Sequence, residues 1–151
     1  MNAQELESNE RLTEWVQRDL NREPSLPFED ESFDTVLNVV SVDYLAQPQE
    51  VFSEMHRVLR PGGAAIMSFS NRCFPTKAVK VWLDADEAQR QKIVASYFHY
   101  APLDGWTDIM AIDLKPKRAG GMLPSSLLGL LGGFLPSGDP MWVVRANKRA
   151  R

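Results

Sequence analysis

Apolar residues recur along this chain in two rhythms. Phe33-Asp34-Thr35-Val36-Leu37-Asn38-Val39-Val40 and Ala64-Ala65-Ile66-Met67-Ser68-Phe69-Ser70 are short, nearly continuous apolar runs. That is the pattern of strands buried on both faces, as in a parallel sheet. Between them Val51, Phe52, Met55, Val58 and Leu59 fall at offsets of 0, 1, 4, 7 and 8, one face of a helix. Pro48 suits the first turn of that helix, Arg57 and Arg60 its carboxyl end, and Pro61-Gly62-Gly63 its stop. Strand, helix and strand with short connections make a βαβ unit with parallel strands. Val36, Val39, Phe52, Met55, Val58, Leu59 and Ile66 are expected in one core.

The flanks carry weaker patterns. Residues 2–14 read as a helix on which Leu6, Leu12 and Trp15 share a face, and residues 15–20 as a brief strand. Pro24 and Pro27 punctuate a loop over 21–32. Residues 75–83 and 86–98 read as helices, the second with Ala88, Ile93, Val94, Tyr97 and Phe98 as its apolar positions. Strands are expected at 108–114 and 141–146. Residues 119–140 read as a flexible Gly/Leu-rich insertion, with a short interfacial element at Leu127-Leu128-Gly129-Leu130-Leu131 as the alternative.

Composition narrows the classes. At 151 residues there is room for one domain, and 44% hydrophobic residues with mixed charges mark a folded chain. Net charge is −3, with cations scattered except in Lys148-Arg149-Ala150-Arg151, so there is no basic face for nucleic acid. That tail reads as a solvated end. Cys73 is the only cysteine, which excludes an intramolecular disulfide and a Cys-rich zinc site. His56 and His99 stand apart and read as structural. No apolar stretch reaches the roughly 20 residues of a transmembrane helix, and no signal or transit peptide is visible. A soluble intracellular protein is expected.

One ordered set of motifs points to a family. Leu26-Pro27-Phe28-Glu29-Asp30-Glu31-Ser32-Phe33-Asp34 precedes the first apolar strand, and Met55-His56-Arg57-Val58-Leu59-Arg60-Pro61-Gly62-Gly63 precedes the second. With Glu54, this order resembles the type 11 methyltransferase family of class I S-adenosylmethionine-dependent enzymes. The resemblance implies an α/β, Rossmann-like sheet in the order 3-2-1-4-5-7-6 with the last strand antiparallel. On that template residues 15–20 are strand three, 33–40 strand four, 64–70 strand five, 108–114 strand six and 141–146 strand seven. Strands one and two have no counterpart, and neither have the glycine-rich turn and acidic residue that follow them. The expected architecture is therefore one partial methyltransferase domain over residues 1–151.

The resemblance also implies a site. Asp19-Leu20-Asn21 lies where the family meets the adenine ring, the carboxylate accepting from the exocyclic amine. Val40 and Ser41 end strand four, on the rim where open α/β sheets bind ligands. Tyr44, Asn71 and Arg72 stand at the same rim as substrate-side candidates. Asp43 is a weak catalytic candidate, able to orient or deprotonate a nucleophile. Many relatives carry a His-His pair where Asp43 and Tyr44 stand.

Each candidate has a plainer reading. Asp19 can be a solvated strand end, Asn38 a satisfied polar group in the sheet, Arg72 a surface charge and Cys73 a small buried residue.

Three functions are compatible with this sequence. The first is the carboxy-terminal portion of a methyltransferase acting on a small molecule, with Met1 an internal methionine and with weak or no S-adenosylmethionine binding by this chain alone. The second is a non-catalytic methyltransferase-like partner. The third is a peripheral membrane protein using residues 122–136. The uncharged Val-Leu-Asn-Val-Val strand has a free edge on the template, so self-association is expected as well.

Overall fold

The computed structural model describes residues 3–102, 105–114 and 140–150. The expected insertion at 119–140 lies outside them except for Pro140.

The βαβ unit forms where the apolar rhythms place it. Strand β1 spans Phe33–Val39, helix α2 Pro48–Val58 and strand β2 Leu59–Ser70, after a short first helix α1, Ala3–Glu7. Pro48 occupies the first turn of α2, and Val51, Phe52, Met55 and Val58 are its buried face. A four-residue helix α3 (Lys80–Leu83), a longer helix α4 (Glu87–Tyr100), and strands β3 (Trp106–Asp113) and β4 (Met141–Lys148) follow. Asp86 caps α4 with a reciprocal box, its side chain accepting from the Gln89 N–H while Gln89 accepts from the Asp86 N–H.

The sheet order is β1-β2-β4-β3. Strands β1 and β2 run parallel, and β4 runs antiparallel to both neighbours. That is the 4-5-7-6 part of the sheet implied by the resemblance.

Several expectations need correction. The first helix stops at Glu7 instead of 14. Asn9 Oδ1 accepts from the Arg11 N–H and bends the backbone away, while Leu12 and Trp15 stay exposed with no core to hold a helix. Residues 15–20 form no strand, because no described strand pairs with them. The helix expected at 75–83 is confined to Lys80–Leu83, after a turn at 75–77.

The helix before Pro61-Gly62-Gly63 ends at Val58, and β2 has already begun at Leu59. The register shift between Phe33 and Thr35 absorbs the intervening residues. Gly62 takes φ +82°, and a Cβ on Gly63 would lie 2.9 Å from the carbonyl oxygens of Arg60 and Asp34. Glycine at 63 is therefore a packing requirement.

Burial is one-sided, against the expectation for β1. Helices α2 and α4 pack over Ala65, Met67, Phe69, Trp142, Val144 and Ala146. Phe52, Phe98 and Trp106 join in edge-to-face pairs with centroids 4.7 and 5.0 Å apart, worth about 0.5–1.5 kcal/mol each beyond their area. On the opposite face, register aligns Leu37, Ile66, Arg145 and Met110 in one row and Val39, Ser68, Val143 and Ile112 in the next. Leu37 is 63% exposed and Val39 55%. Val39 and Ile66 therefore leave the expected core, because alternation along the strand turns them from the helices.

One polar knot ties the loop before β1 to α2. Arg57 donates five hydrogen bonds: to both carboxylate oxygens of Glu54, to the Leu26 and Phe28 carbonyls and to Asp30. Glu54 also accepts from the Leu26 N–H at 2.7 Å. The Arg57 guanidinium holds the Glu54 carboxyl below its usual range. Glu54 accordingly stabilises the fold above the ordinary value of 4.5, and that contribution is lost as pH falls through the lowered folded value. We expect Arg57→Ala to cost about 2–4 kcal/mol in urea denaturation, and Arg57→Lys to recover less than half, because an ammonium cannot reproduce the fork. Full recovery by lysine would reduce the knot to simple charge pairing.

Candidate functional site

The carboxyl ends of parallel β1 and β2 open onto one side of the molecule, and there the chain turns sharply. Val40 takes φ +44° while its N–H donates to the Ser68 carbonyl at 2.8 Å. This left-handed residue swings Ser41 off the strand into the short 3₁₀ turn Val42–Tyr44. Ser41 Oγ then donates to Asn38 Oδ1 at 3.1 Å, which satisfies Asn38 at the edge of the sheet.

A groove of about 810 Å³ lies against this turn, lined by Gln17, Arg18, Asp19, Leu20, Asn21, Asn38, Ser41, Tyr44, Leu45 and Lys77. Of the residues singled out from sequence, Asp19, Leu20, Ser41 and Tyr44 meet in it, with Asn21 and Asn38 beside them. Val40, Asp43, Asn71 and Arg72 do not line it. Asn71 and Arg72 are exposed just beyond β2, where the Arg72 N–H donates to Ser70 Oγ.

The far wall is built by a side-chain tie that sequence did not indicate. Asn21 Nδ2 donates to the Tyr44 carbonyl at 2.8 Å, and Asn21 Oδ1 accepts from the Ala46 N–H at 2.8 Å. Gln47 Nε2 donates to the Asn21 carbonyl. Residues 19–23 are thereby fastened to the turn after β1 without any strand pairing. Asp19 Oδ1 accepts from the Asn21 N–H, and its other oxygen sits 3.6 Å from Arg22, so this carboxylate caps its own turn.

Lys77 was missed, and no spacing signal would have found it. It reaches the groove through a turn in which the Phe74 carbonyl accepts from the Lys77 and Ala78 N–H groups. The Phe74 N–H donates to the Tyr44 hydroxyl at 3.0 Å, and the Val79 N–H donates to the Asp43 carbonyl at 3.0 Å.

Asp43 lies behind the groove wall, only 3% exposed, and its Oδ2 has no hydrogen-bond partner. Burial pushes its carboxyl above the ordinary range, offset in part by its own backbone N–H, the Tyr44 hydroxyl and the Arg90 guanidinium. Burial and the adjoining carboxylate raise Tyr44 as well. His56 is held low by burial, beside the Gly105 carbonyl at 3.0 Å and edge-on to Trp106, far in sequence from the rim. Among the described residues no cluster of His, Cys, Asp and Glu can hold a metal ion, and no helix is long and apolar enough to cross a membrane.

Comparison with known proteins gives a consistent picture. The methyltransferase-domain family matches residues 1–67. The biotin biosynthesis bifunctional protein BioHC of Teredinibacter turnerae is 51% identical over 39 residues, 26% of this chain and 7% of that protein. A malonyl-acyl-carrier-protein O-methyltransferase of Marinomonas sp. is 29% identical over 87 residues, 58% of this chain and 31% of the relative. These matches thus span a minor share of the curated relatives' length.

Among solved structures, a SAM-dependent methyltransferase from Aquifex aeolicus superposes with a TM-score of 0.52 at 12% identity, over 89% of this chain and 54% of the other. The 4+2 cyclase SpnF superposes with a TM-score of 0.52 at 16% identity, over 85% and 55%. Both show a shared fold.

The buried carboxyl of Asp43 yields a pH test. Because its folded pKa is raised, its contribution to stability is fully present below the ordinary value of 3.8 and is lost as pH rises through the folded value. Asp43→Asn cannot ionise and escapes that loss. We expect urea melts at about pH 4 and about pH 7 to show the difference moving in the variant's favour at the higher pH, by about 1.4 kcal/mol per unit of displacement. A difference independent of pH would mean that Asp43 ionises as freely as in water.

Proposed function

We propose, from the match of residues 1–67 to the methyltransferase-domain family, that this chain carries the acceptor-side portion of an S-adenosylmethionine-dependent methyltransferase acting on a small molecule. The observation that supports this best is the groove at the carboxyl end of β1, where Asp19, Leu20, Ser41 and Tyr44 converge. In this reading Asp19, Leu20, Val40 and Ser41 mark the cofactor side. Tyr44 faces the acceptor in the groove, and Asn71 and Arg72 meet it only where it extends past the groove to the exposed end of β2. Asp43 does not line the groove, so its part is to hold Tyr44 in place instead of removing a proton itself.

The described residues do not complete a cofactor site. Their glycines are Gly62, Gly63 and Gly105, none of which lines the groove, so no backbone cradle is available for the cofactor's polar groups. The one carboxylate on the groove wall, Asp19, is engaged in its own turn. No transfer step is therefore derived. Binding of S-adenosylmethionine by this chain alone is weak or absent in this proposal, and the chain alone is inactive.

The second reading, a non-catalytic methyltransferase-like partner, draws on the edge of β1. Among the described strands only β2 pairs with β1, and the exposed Leu37 and Val39 beside that edge suit self-association.

Calorimetry and light scattering test these readings. Titration of the 151-residue chain with S-adenosylmethionine should give no stoichiometric heat at ligand concentrations up to about 1 mM. Micromolar binding would overturn the claim of an incomplete site. The DNA upstream of the Met1 codon separates the two functions: an in-frame apolar strand followed by a glycine-rich turn supports the enzyme, and a stop codon supports the partner subunit. Light scattering should show oligomers that Leu37→Lys reduces, and a monomeric native chain would count against self-association.

A further inference from the structure

Of the groove's charged side chains, two already have partners. Arg18 donates to the Ser25 carbonyl at 2.6 Å and to Ser25 Oγ, and sits 3.2 Å from Glu23. Asp19 caps its turn and meets Arg22. Lys77 differs: among the described residues no carboxylate approaches it. Its ammonium lies 5.5 Å from the centroid of the Phe74 ring. Phe74 is 66% exposed, an apolar ring held in water beside the groove, and it lies 6.4 Å from the Tyr44 ring. No burial accounts for that position.

The arrangement is preset by the backbone. The Phe74 N–H is fixed on the Tyr44 hydroxyl, the Lys77 and Ala78 N–H groups on the Phe74 carbonyl, and the Val79 N–H on the Asp43 carbonyl. The main chain that carries this cation and its ring is fixed in this way and loses little freedom when a ligand arrives. A solvated ammonium attracts either kind of organic anion, and the exposed Phe74 ring with the half-buried Tyr44 ring favours a flat apolar body over a bare ion.

We propose that Lys77 and Phe74, seated by the Asp43-Tyr44 pair, form the acceptor-recognition corner of this groove, and that the acceptor is a small organic acid with a flat apolar body. Its carboxylate or phosphate rests on Lys77 and its body against Phe74 and Tyr44. The proposal rests on the methyltransferase reading for the word acceptor, but the binding event itself needs no cofactor.

Nuclear magnetic resonance titration of the 151-residue chain tests it, with phenylacetate, phenyl phosphate, benzyl alcohol and inorganic phosphate as probes and no S-adenosylmethionine added. The two aromatic anions should shift the amides of residues 41–44 and 72–79 saturably, and the tighter of them identifies the anion. Lys77→Gln should weaken them by about tenfold and Lys77→Arg by much less. Phe74→Ala should weaken the aromatic anions and leave inorganic phosphate unchanged. Unaltered affinity in Lys77→Gln, or benzyl alcohol binding as tightly as the anions, would overturn the proposal. Inorganic phosphate matching phenyl phosphate would overturn the part given to Phe74. These readouts are independent of the calorimetry with S-adenosylmethionine, so either idea can fail alone.

Discussion

Arg57 joins elements that would otherwise have little reason to stay together. The loop over residues 21–32 is largely polar and proline-broken, with only Leu26 packed on the core and Phe28 edge-on to Phe33, yet it must deliver Phe33 to the start of β1. The guanidinium reaches the Leu26 and Phe28 carbonyls and Asp30 from helix α2 while Glu54 turns back onto the Leu26 N–H. Close by, the Glu31 and Ser32 N–H groups donate to the last carbonyls of the same helix, at Arg57 and Val58. The helix end thus gains donors that it would otherwise lack, and the loop gains a fixed course. Strand β1, the turn after it and the groove all take their positions from that junction.

This changes the meaning of the motif. Glu54 and Arg57 belong to the pattern by which the chain resembles the type 11 methyltransferases, and a motif invites a catalytic reading. Both lie in a structural clasp at the amino end of β1, whereas the groove opens at the carboxyl end. The motif therefore reports the architecture, and the groove is lined by less distinctive residues at the opposite rim.

The central βαβ unit was legible because burial and periodicity agree there: Phe52, Met55 and Val58 face the sheet as their spacing requires. The strand order of the second half followed from the family template. Legibility failed where a pattern needs a partner that the described residues lack. Residues 15–20 have strand-like composition but no pairing, and β1 has an apolar sequence on a face that nothing described covers. Val39 and Ile66 were assigned to the core by composition, although strand alternation directs them away from the helices. In the groove, Asp19, Ser41 and Tyr44 followed from position along the fold, but Asn21 acts through long-range side-chain bonds and Lys77 through a local turn. Neither leaves a trace in spacing.

The one-sided sheet also bears on how this molecule responds to temperature. Leu37, Val39, Met110 and Ile112 are wet in the folded chain and remain wet when it unfolds. They add little to the heat-capacity change that curves a stability profile. Among the described residues, the side chains packed over the helix-covered face supply most of that curvature. For the same number of residues, the profile is flatter than that of a sheet covered on both sides, and the midpoint of melting responds more steeply to any single lost contact, because less enthalpy accumulates per degree of heating.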